Sequence, residues 1–92
     1  MKTFYVYILG STTGTLYIGV TSNIETRLRQ HVNDKSSGFT KKYHVTKLIY
    51  LEECEDSLEA IAREKQLKGW RRSKELDLIK TQNPTFTDLA QS

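Results

Sequence analysis

Tyr7, Tyr17, Arg27, His31 and Glu64 carry the side chains that phosphodiester chemistry uses. The two tyrosines lie in the triplets Tyr5-Val6-Tyr7 and Tyr17-Ile18-Gly19, with a short polar loop between them. Arg27 and His31 follow at a spacing that places them one turn apart on a helix. Glu64 comes much later, inside the apolar pattern of another helix. Cutting a phosphodiester needs an oriented or deprotonated water, positive charge for the phosphoryl oxygens, and help for the leaving oxygen. Glu64 offers an oxygen ligand to one hard cation, Mg²⁺ or Mn²⁺, with the phosphate completing the coordination. Arg27 offers a rigid fork for phosphate. His31 titrates near neutral pH and can relay a proton. Tyr7 and Tyr17 can hold the attacking water or the phosphate, although a phenol with an ordinary pKa of about 10 is a weak base.

Each residue also has a structural reading. Tyrosines in strands are commonly half-buried with a wet hydroxyl. Arg27 and His31 on a helix flank fit a solvated surface. Glu64 can pair with Lys68, four residues on. Trp70, beside Arg71 and Arg72, fits either a core-edge position or a platform for a base.

The elements that position these groups follow from pattern. Thr3 to Leu9 and Thr15 to Thr21 alternate and are rich in aromatic and β-branched residues, so both read as strands. Gly10 to Gly14 forms a five-residue loop, which makes the pair an antiparallel hairpin. Pairing Leu9 with Thr15 sets Tyr7 opposite Tyr17 and Tyr5 opposite Gly19. Phe4, Val6, Ile8, Leu16, Ile18 and Val20 then share one apolar face, and the tyrosines share the other with Gly19. Ser22 or Thr21 caps a helix over about Asn23 to Asn33, with Ile24, Leu28 and Val32 as its stripe. Asn33 to Thr40 is a polar loop, and Val45 to Glu53 a third strand. Asp56 and Glu59 have capping-box spacing for a helix over Ser57 to Lys68, closed by Gly69. On its wheel Ala60, Ile61 and Leu67 share a face with Glu64 in the middle. Ser73 starts a last helix through about Thr81, stopped by Asn83-Pro84. Phe86 and Leu89 can dock the tail on the core.

Composition sets the frame. The 92 residues suit one domain with a modest core, 37% apolar and 27% charged. No apolar run is long enough for a membrane span. The N-terminus leads straight into a strand-like run, so no signal peptide is expected. The single cysteine, Cys54, excludes an internal disulfide and a cysteine-rich zinc site, and fits a reducing, cytoplasmic setting. The net charge of +3 permits nucleic-acid binding. The candidate cations for it are Lys41 and Lys42 in one loop and Lys65, Lys68, Arg71 and Arg72 around one helix end.

Taken in order, Tyr5-Val6-Tyr7, Tyr17-Ile18-Gly19, Arg27, His31 and Ala60-Ile61-Ala62-Arg63-Glu64-Lys65 resemble the GIY-YIG nuclease domain. The segment Asn83-Pro84-Thr85-Phe86-Thr87-Asp88-Leu89 looks like the close of its short stand-alone bacterial members, akin to the N-terminal domain of the UvrC excision-repair subunit. The resemblance covers nearly the whole chain, with a motif core over about residues 3–81 and a tail over 82–92 of one domain, 1–92. It implies an α/β (α+β) fold, a three-stranded antiparallel sheet flanked by helices. It implies a DNA endonuclease using one divalent cation, with a role in repair or recombination. By motif, Tyr7 and Tyr17 would serve water or phosphate, Arg27 the phosphate, His31 proton transfer and Glu64 the metal. Gly19 would keep the sheet face open, and Asn83 would border the site. Tyr5 stands where the family has glycine and is expected to pack beside Gly19. Larger members carry a separate DNA-binding domain or partner; targeting here falls to the basic clusters, a protein partner or the structure of the DNA. The alternative is a nucleic-acid-binding or partner-docking module with little turnover.

Overall fold

The computed structural model describes residues 3–11, 14–33 and 47–90, with the backbone alone for 31–33. Its strands are β1 (Phe4–Gly10), β2 (Leu16–Thr21) and β3 (Lys47–Cys54). They form one antiparallel sheet in the order β2-β1-β3. Among the described residues the helices are α1 (Ile24–Asn33), α2 (Ser57–Lys68) and α3 (Arg72–Gln82).

The hairpin register differs from the expectation by two residues. Tyr7 faces Gly19, Leu9 faces Tyr17, Gly10 faces Leu16 and Tyr5 faces Thr21. The pairing runs further toward the loop because Gly10 belongs to the strand. A Cβ on Gly10 would sit 2.9 Å from Ile49 Cδ1, so the residue is glycine to admit that side chain. Beyond it, Ser11 N–H donates to Thr15 O at 3.0 Å, and Ser11 Oγ accepts from Thr15 N–H at 3.0 Å. Gly14 turns the chain at φ +91°, a conformation glycine adopts without a Cβ clash. A two-residue shift preserves parity, so the residues predicted to share each face still do so.

Both faces are covered. Val6, Ile8, Ile18, Ile49, Tyr50 and Cys54 pack with Ala60 and Leu67 of α2 and Ile79 of α3. On the other face Tyr7, Leu9 and Leu48 are buried, with Tyr17, Ile24, Leu28 and Leu51 packed around them. The tyrosine face is therefore a second small core under α1, and Tyr7 is only 1% exposed. Ile61, expected on the packed face of α2, is 41% exposed; the buried stripe is Ala60 and Leu67.

The caps follow local chemistry. Asn23, instead of Ser22 or Thr21, caps α1: its Oδ1 accepts from Thr26 N–H at 3.1 Å. Thr21 Oγ1 instead closes a turn with Asn23 N–H, at 3.1 Å. Asp56 Oδ1 accepts from Glu59 N–H at 2.8 Å, as its spacing predicts. Helix α3 starts before Ser73, because the Arg71 carbonyl already accepts from Lys74 and Glu75 N–H, both at 3.1 Å.

β3 pairs with β1 through a register shift between Ile8 and Leu9, which leaves Ile49 without a partner on β1. The outer side of β3 is closed by the end of the chain. Gln82 accepts from Leu51 N–H at 2.9 Å and donates to Leu51 O at 2.7 Å. Leu89 N–H donates to Leu48 O at 2.7 Å, and Asp88 Oδ1 accepts from Leu48 N–H at 3.1 Å. Phe86 packs on the main core, while Leu89 engages through its backbone and leaves its side chain 40% exposed. These contacts shield one edge strand. The other edge, β2, is where side chains from both faces can meet.

Candidate active site at the edge of strand β2

Tyr7 starts on the central strand but reaches the edge. A Cβ on Gly19 would fall 2.5 Å from Tyr7 Oη, 2.6 Å from Cζ and 3.0 Å from Cε1. The Tyr7 ring thus lies across β2 at Gly19, and only a residue without a side chain leaves it room. Tyr17, two residues earlier on β2, joins it on the same face, with ring centroids 6.3 Å apart and planes tilted by 35°. The pair is diagonal instead of directly opposed. Tyr5 does not lie beside Gly19. It pairs with Thr21 on one side and Glu53 on the other, one strand-repeat away from the tyrosine pair.

The Tyr7 phenol reports what surrounds it. Burial is the largest cause pushing its pKa well above the ordinary value, and Tyr17 adds to this by charge and by a side-chain hydrogen bond. Arg27 pulls the value down and Glu64 pushes it up. Arg27 comes from α1, on the tyrosine face, and Glu64 from α2, on the opposite face. Both act on one phenol because it stands at the β2 edge. At neutral pH Tyr7 is a protonated, hydrogen-bonding phenol.

This burial has a measurable consequence. A phenol whose folded pKa is raised contributes stability that is fully present below its unfolded value of about 10 and is lost as pH rises through the folded value. Tyr50 is raised in the same sense, first by burial and then by Glu52. Urea denaturation from pH 8 to 11 is expected to show stability falling above about pH 10, with a shallower fall in Tyr7→Phe. Equal slopes in the two proteins would contradict the burial of the Tyr7 hydroxyl.

Glu64 is half-buried and pairs with Lys68 Nζ at 3.3 Å. Its side chain is 21% exposed and that of Lys68 55%. The expected pairing with Lys68 is present, and the carboxylate also lies near enough to Tyr7 to raise its pKa. A partly exposed i,i+4 pair of this kind contributes about 0.3–0.5 kcal/mol. Among the described residues no group of three or more His, Cys, Asp or Glu converges as a metal cage. The oxygen donors available near the edge are the Glu64 carboxylate, close enough to Tyr7 to influence it, and the two phenols. They suit a hard cation that keeps most of its waters and takes further oxygens from a phosphate.

His31 lies in α1 one turn beyond Arg27, and its side chain falls outside the described residues. Lys41 and Lys42 also lie outside them. Lys65, Lys68, Arg71 and Arg72 are exposed. Lys68 and Arg72 line a cavity of about 400 Å³ with Leu16, Tyr17, Ile18 and Glu75. Arg72 also donates to the Gly14 carbonyl, tying α3 to the hairpin turn. Trp70 is engaged by cations, with Lys74 Nζ 4.3 Å and Arg63 5.3 Å from its ring centroid. It therefore reads as the core-edge aromatic.

Asn83 does not border the phenols. It is 3% exposed, and its amide donates to Ile49 O at 3.1 Å and Thr87 O at 2.7 Å. Its carbonyl accepts from Thr87 N–H and Oγ1, each at 3.1 Å. These bonds satisfy the residue skipped in the β3 ladder, two strands from β2. Asn83→Ala is expected to cost about 2–4 kcal/mol in urea denaturation, because it leaves buried groups unpaired. A loss below about 1 kcal/mol would contradict this latch.

Residue Glu75 was not singled out by sequence. It comes near Lys68 only because the chain turns at Gly69 between α2 and α3, so no single helical wheel relates them.

A small antiparallel sheet with the two tyrosine triplets paired, and an arginine and a glutamate brought to one phenol, defines a class. Residues 3–83 match the model of the GIY-YIG catalytic domain. The chain belongs to the GIY-YIG family, a nuclease family. It is 42% identical over 85 residues to a UPF0213 protein of Syntrophus aciditrophicus, covering 91% of this chain and 97% of that one. It is 35% identical over 79 residues to a UPF0213 protein of Staphylococcus saprophyticus, covering 86% and 96%. The solution NMR structure of the UPF0213 protein BH0048 from Bacillus halodurans shares its fold, with a TM-score of 0.61 at 25% identity over 98% of this chain and 99% of that one. No helix among the described residues is long and apolar enough to cross a membrane.

Proposed function

We propose that this protein is a divalent-metal-dependent endonuclease that hydrolyses phosphodiester bonds in DNA, acting in the cytoplasm in repair or recombination. The observation that carries the reading is geometric: the Tyr7 phenol lies across Gly19 at the β2 edge with the Tyr17 ring beside it, in a chain that matches the GIY-YIG catalytic domain over residues 3–83. A cation, an anion and two phenols at one sheet edge suit a phosphate better than any purely structural need.

Glu64 would hold one hydrated Mg²⁺ or Mn²⁺, which supplies positive charge and a more acidic water when bound. Arg27 pairs with the phosphoryl oxygens and meets the charge that grows on them. Tyr7, held as a phenol, donates a hydrogen bond to a phosphate oxygen or orients the water. Tyr17 fixes the Tyr7 hydroxyl and shares that task. His31 serves as the proton relay. Lys41, Lys42, Lys65, Lys68, Arg71 and Arg72 contact the DNA backbone, whose affinity is then salt-dependent. A protein partner would add targeting.

The test is cleavage of branched, nicked and single-stranded DNA in Mg²⁺ or Mn²⁺. Arg27→Ala is expected to lower the rate by about 10²–10³-fold with little change in stability. Failure to cut any substrate, or an Arg27→Ala rate equal to wild type, would overturn the reading. The Glu64–Lys68 pair supports a second reading, a binding module with little turnover. It predicts salt-dependent DNA binding without metal and no Glu64-dependent product.

A further inference from the structure

The cavity beside Tyr17 holds one ionisable group, Glu75, to which the hydrolytic reading gives no role. Leu16, Tyr17 and Ile18 supply its wall from β2, Lys68 comes from the end of α2, and Arg72 and Glu75 come from α3. Its volume of about 400 Å³ falls within the roughly 300–1,000 Å³ of ordinary ligand pockets. Tyr17 belongs both to this wall and to the tyrosine pair, so an occupant sits next to the phosphate site.

Glu75 is the group that asks for a ligand. It is half-buried, and among the described residues no hydrogen bond or ion pair reaches its carboxylate. Burial raises its carboxyl above the ordinary range, and Arg72 only partly offsets this. Glu52, a comparably sheltered acid, accepts from Tyr50 Oη at 3.0 Å and from Arg63 Nε at 2.8 Å. A sheltered carboxylate lacking such donors is costly unless something else provides them.

The surroundings specify the donor. An apolar wall with one aromatic ring suits the face of a base. The exposed cations Lys68 and Arg72 suit the phosphates on either side of it. An ionised carboxylate accepts two hydrogen bonds side by side. Guanine is the nucleobase whose Watson–Crick edge presents two adjacent donors, N1–H and the 2-amino group. Adenine and cytosine place an acceptor beside their amine, and thymine flanks its single N–H with carbonyls. That edge is available only in an unpaired nucleotide.

We propose that this cavity is a subsite for an unpaired guanine next to the cleaved phosphate, with Glu75 accepting from its N1–H and 2-amino group. The position relative to the cleaved bond rests on the nuclease reading; the base contact does not.

The experiment measures metal-free binding of thymine-rich single-stranded oligonucleotides carrying one central dG, dA, dT or inosine nucleotide, at fixed salt. The dG strand is expected to bind roughly ten- to hundredfold more tightly than the dT strand. Inosine, which lacks the 2-amino group, should fall between them. Glu75→Gln should bring all four within about twofold of one another, because one of the two acceptors is lost. Equal binding of dG, inosine and dT by the wild type would overturn the subsite, as would a dG preference that persists in a folded Glu75→Gln. Cleavage of the same strands in Mg²⁺ separates the two claims. Cleavage without base preference removes the subsite and leaves the nuclease reading. Glu75-dependent dG binding without cleavage does the reverse.

Discussion

Gly19→Ala is expected to destabilise the fold by about 1–3 kcal/mol and to lower DNA cleavage by about a hundredfold. The reason is space, not backbone angle. Among the described glycines only Gly14 has a positive φ, so an alanine at Gly19 meets no conformational penalty of its own. The methyl group would instead lie 2.5 Å from Tyr7 Oη and 2.6 Å from Cζ. The ring must move, and it is wedged in the small core formed by Leu9, Leu48 and α1. A double-mutant cycle isolates this contact. Tyr7→Ala is itself destabilising, but adding Gly19→Ala to it should cost much less than adding it to wild type. Gly69→Ala is the control, since a Cβ there meets only Gln66 O at 3.5 Å and Lys65 O at 3.7 Å. Additive effects of the Gly19 and Tyr7 substitutions would show that the ring does not cross the glycine.

Glu64→Gln is expected to abolish metal-dependent cleavage, by at least about 10³-fold, while leaving the melting temperature nearly unchanged. The two quantities separate because Glu64 holds little of the fold together. Its ion pair with Lys68 is a partly exposed i,i+4 contact on one helix, and the neighbouring packing is done by Ala60 and Leu67. Removing its charge also removes one of the influences that raise the Tyr7 pKa, so tyrosine titration should shift slightly downward in the variant. Lys68→Ala provides the contrast, because it breaks the same ion pair and keeps the carboxylate. A large loss of stability in both variants would mean that the pair is structural.

The faces of the hairpin were legible from sequence because alternation sets parity, and parity survives a two-residue shift. The register was not legible. It depends on Gly10 extending the strand to admit Ile49, a contact from a residue far along the chain. The same long-range origin hides Asn83. Its amide serves Ile49, the residue skipped in the β3 ladder, and nothing near Asn83 in sequence announces that skip. The α2 cap was legible because Asp56 and Glu59 form a local pair. The anomalous carboxylate in α2 was legible from helical spacing, whereas Ile61 was misplaced because a wheel does not say how wide a face the sheet will cover. From sequence the tyrosine face is half-buried, with its hydroxyls wet. Ile24 and Leu28 of α1 make it a core instead, which buries the Tyr7 phenol and raises its pKa further.

The most direct measurement is a cleavage time course on branched, nicked and single-stranded DNA in Mg²⁺ and in Mn²⁺, comparing wild type, Glu64→Gln and Lys68→Ala with their thermal melts. Wild type should cut only when a divalent cation is present. Lys68→Ala, which loses one contact to the DNA backbone, should bind DNA more weakly but still give metal-dependent product at saturating DNA, and Glu64→Gln, equally folded, should yield no product above background. Cleavage that persists in Glu64→Gln or survives chelation of the metal would contradict a metal-assisted site at the β2 edge.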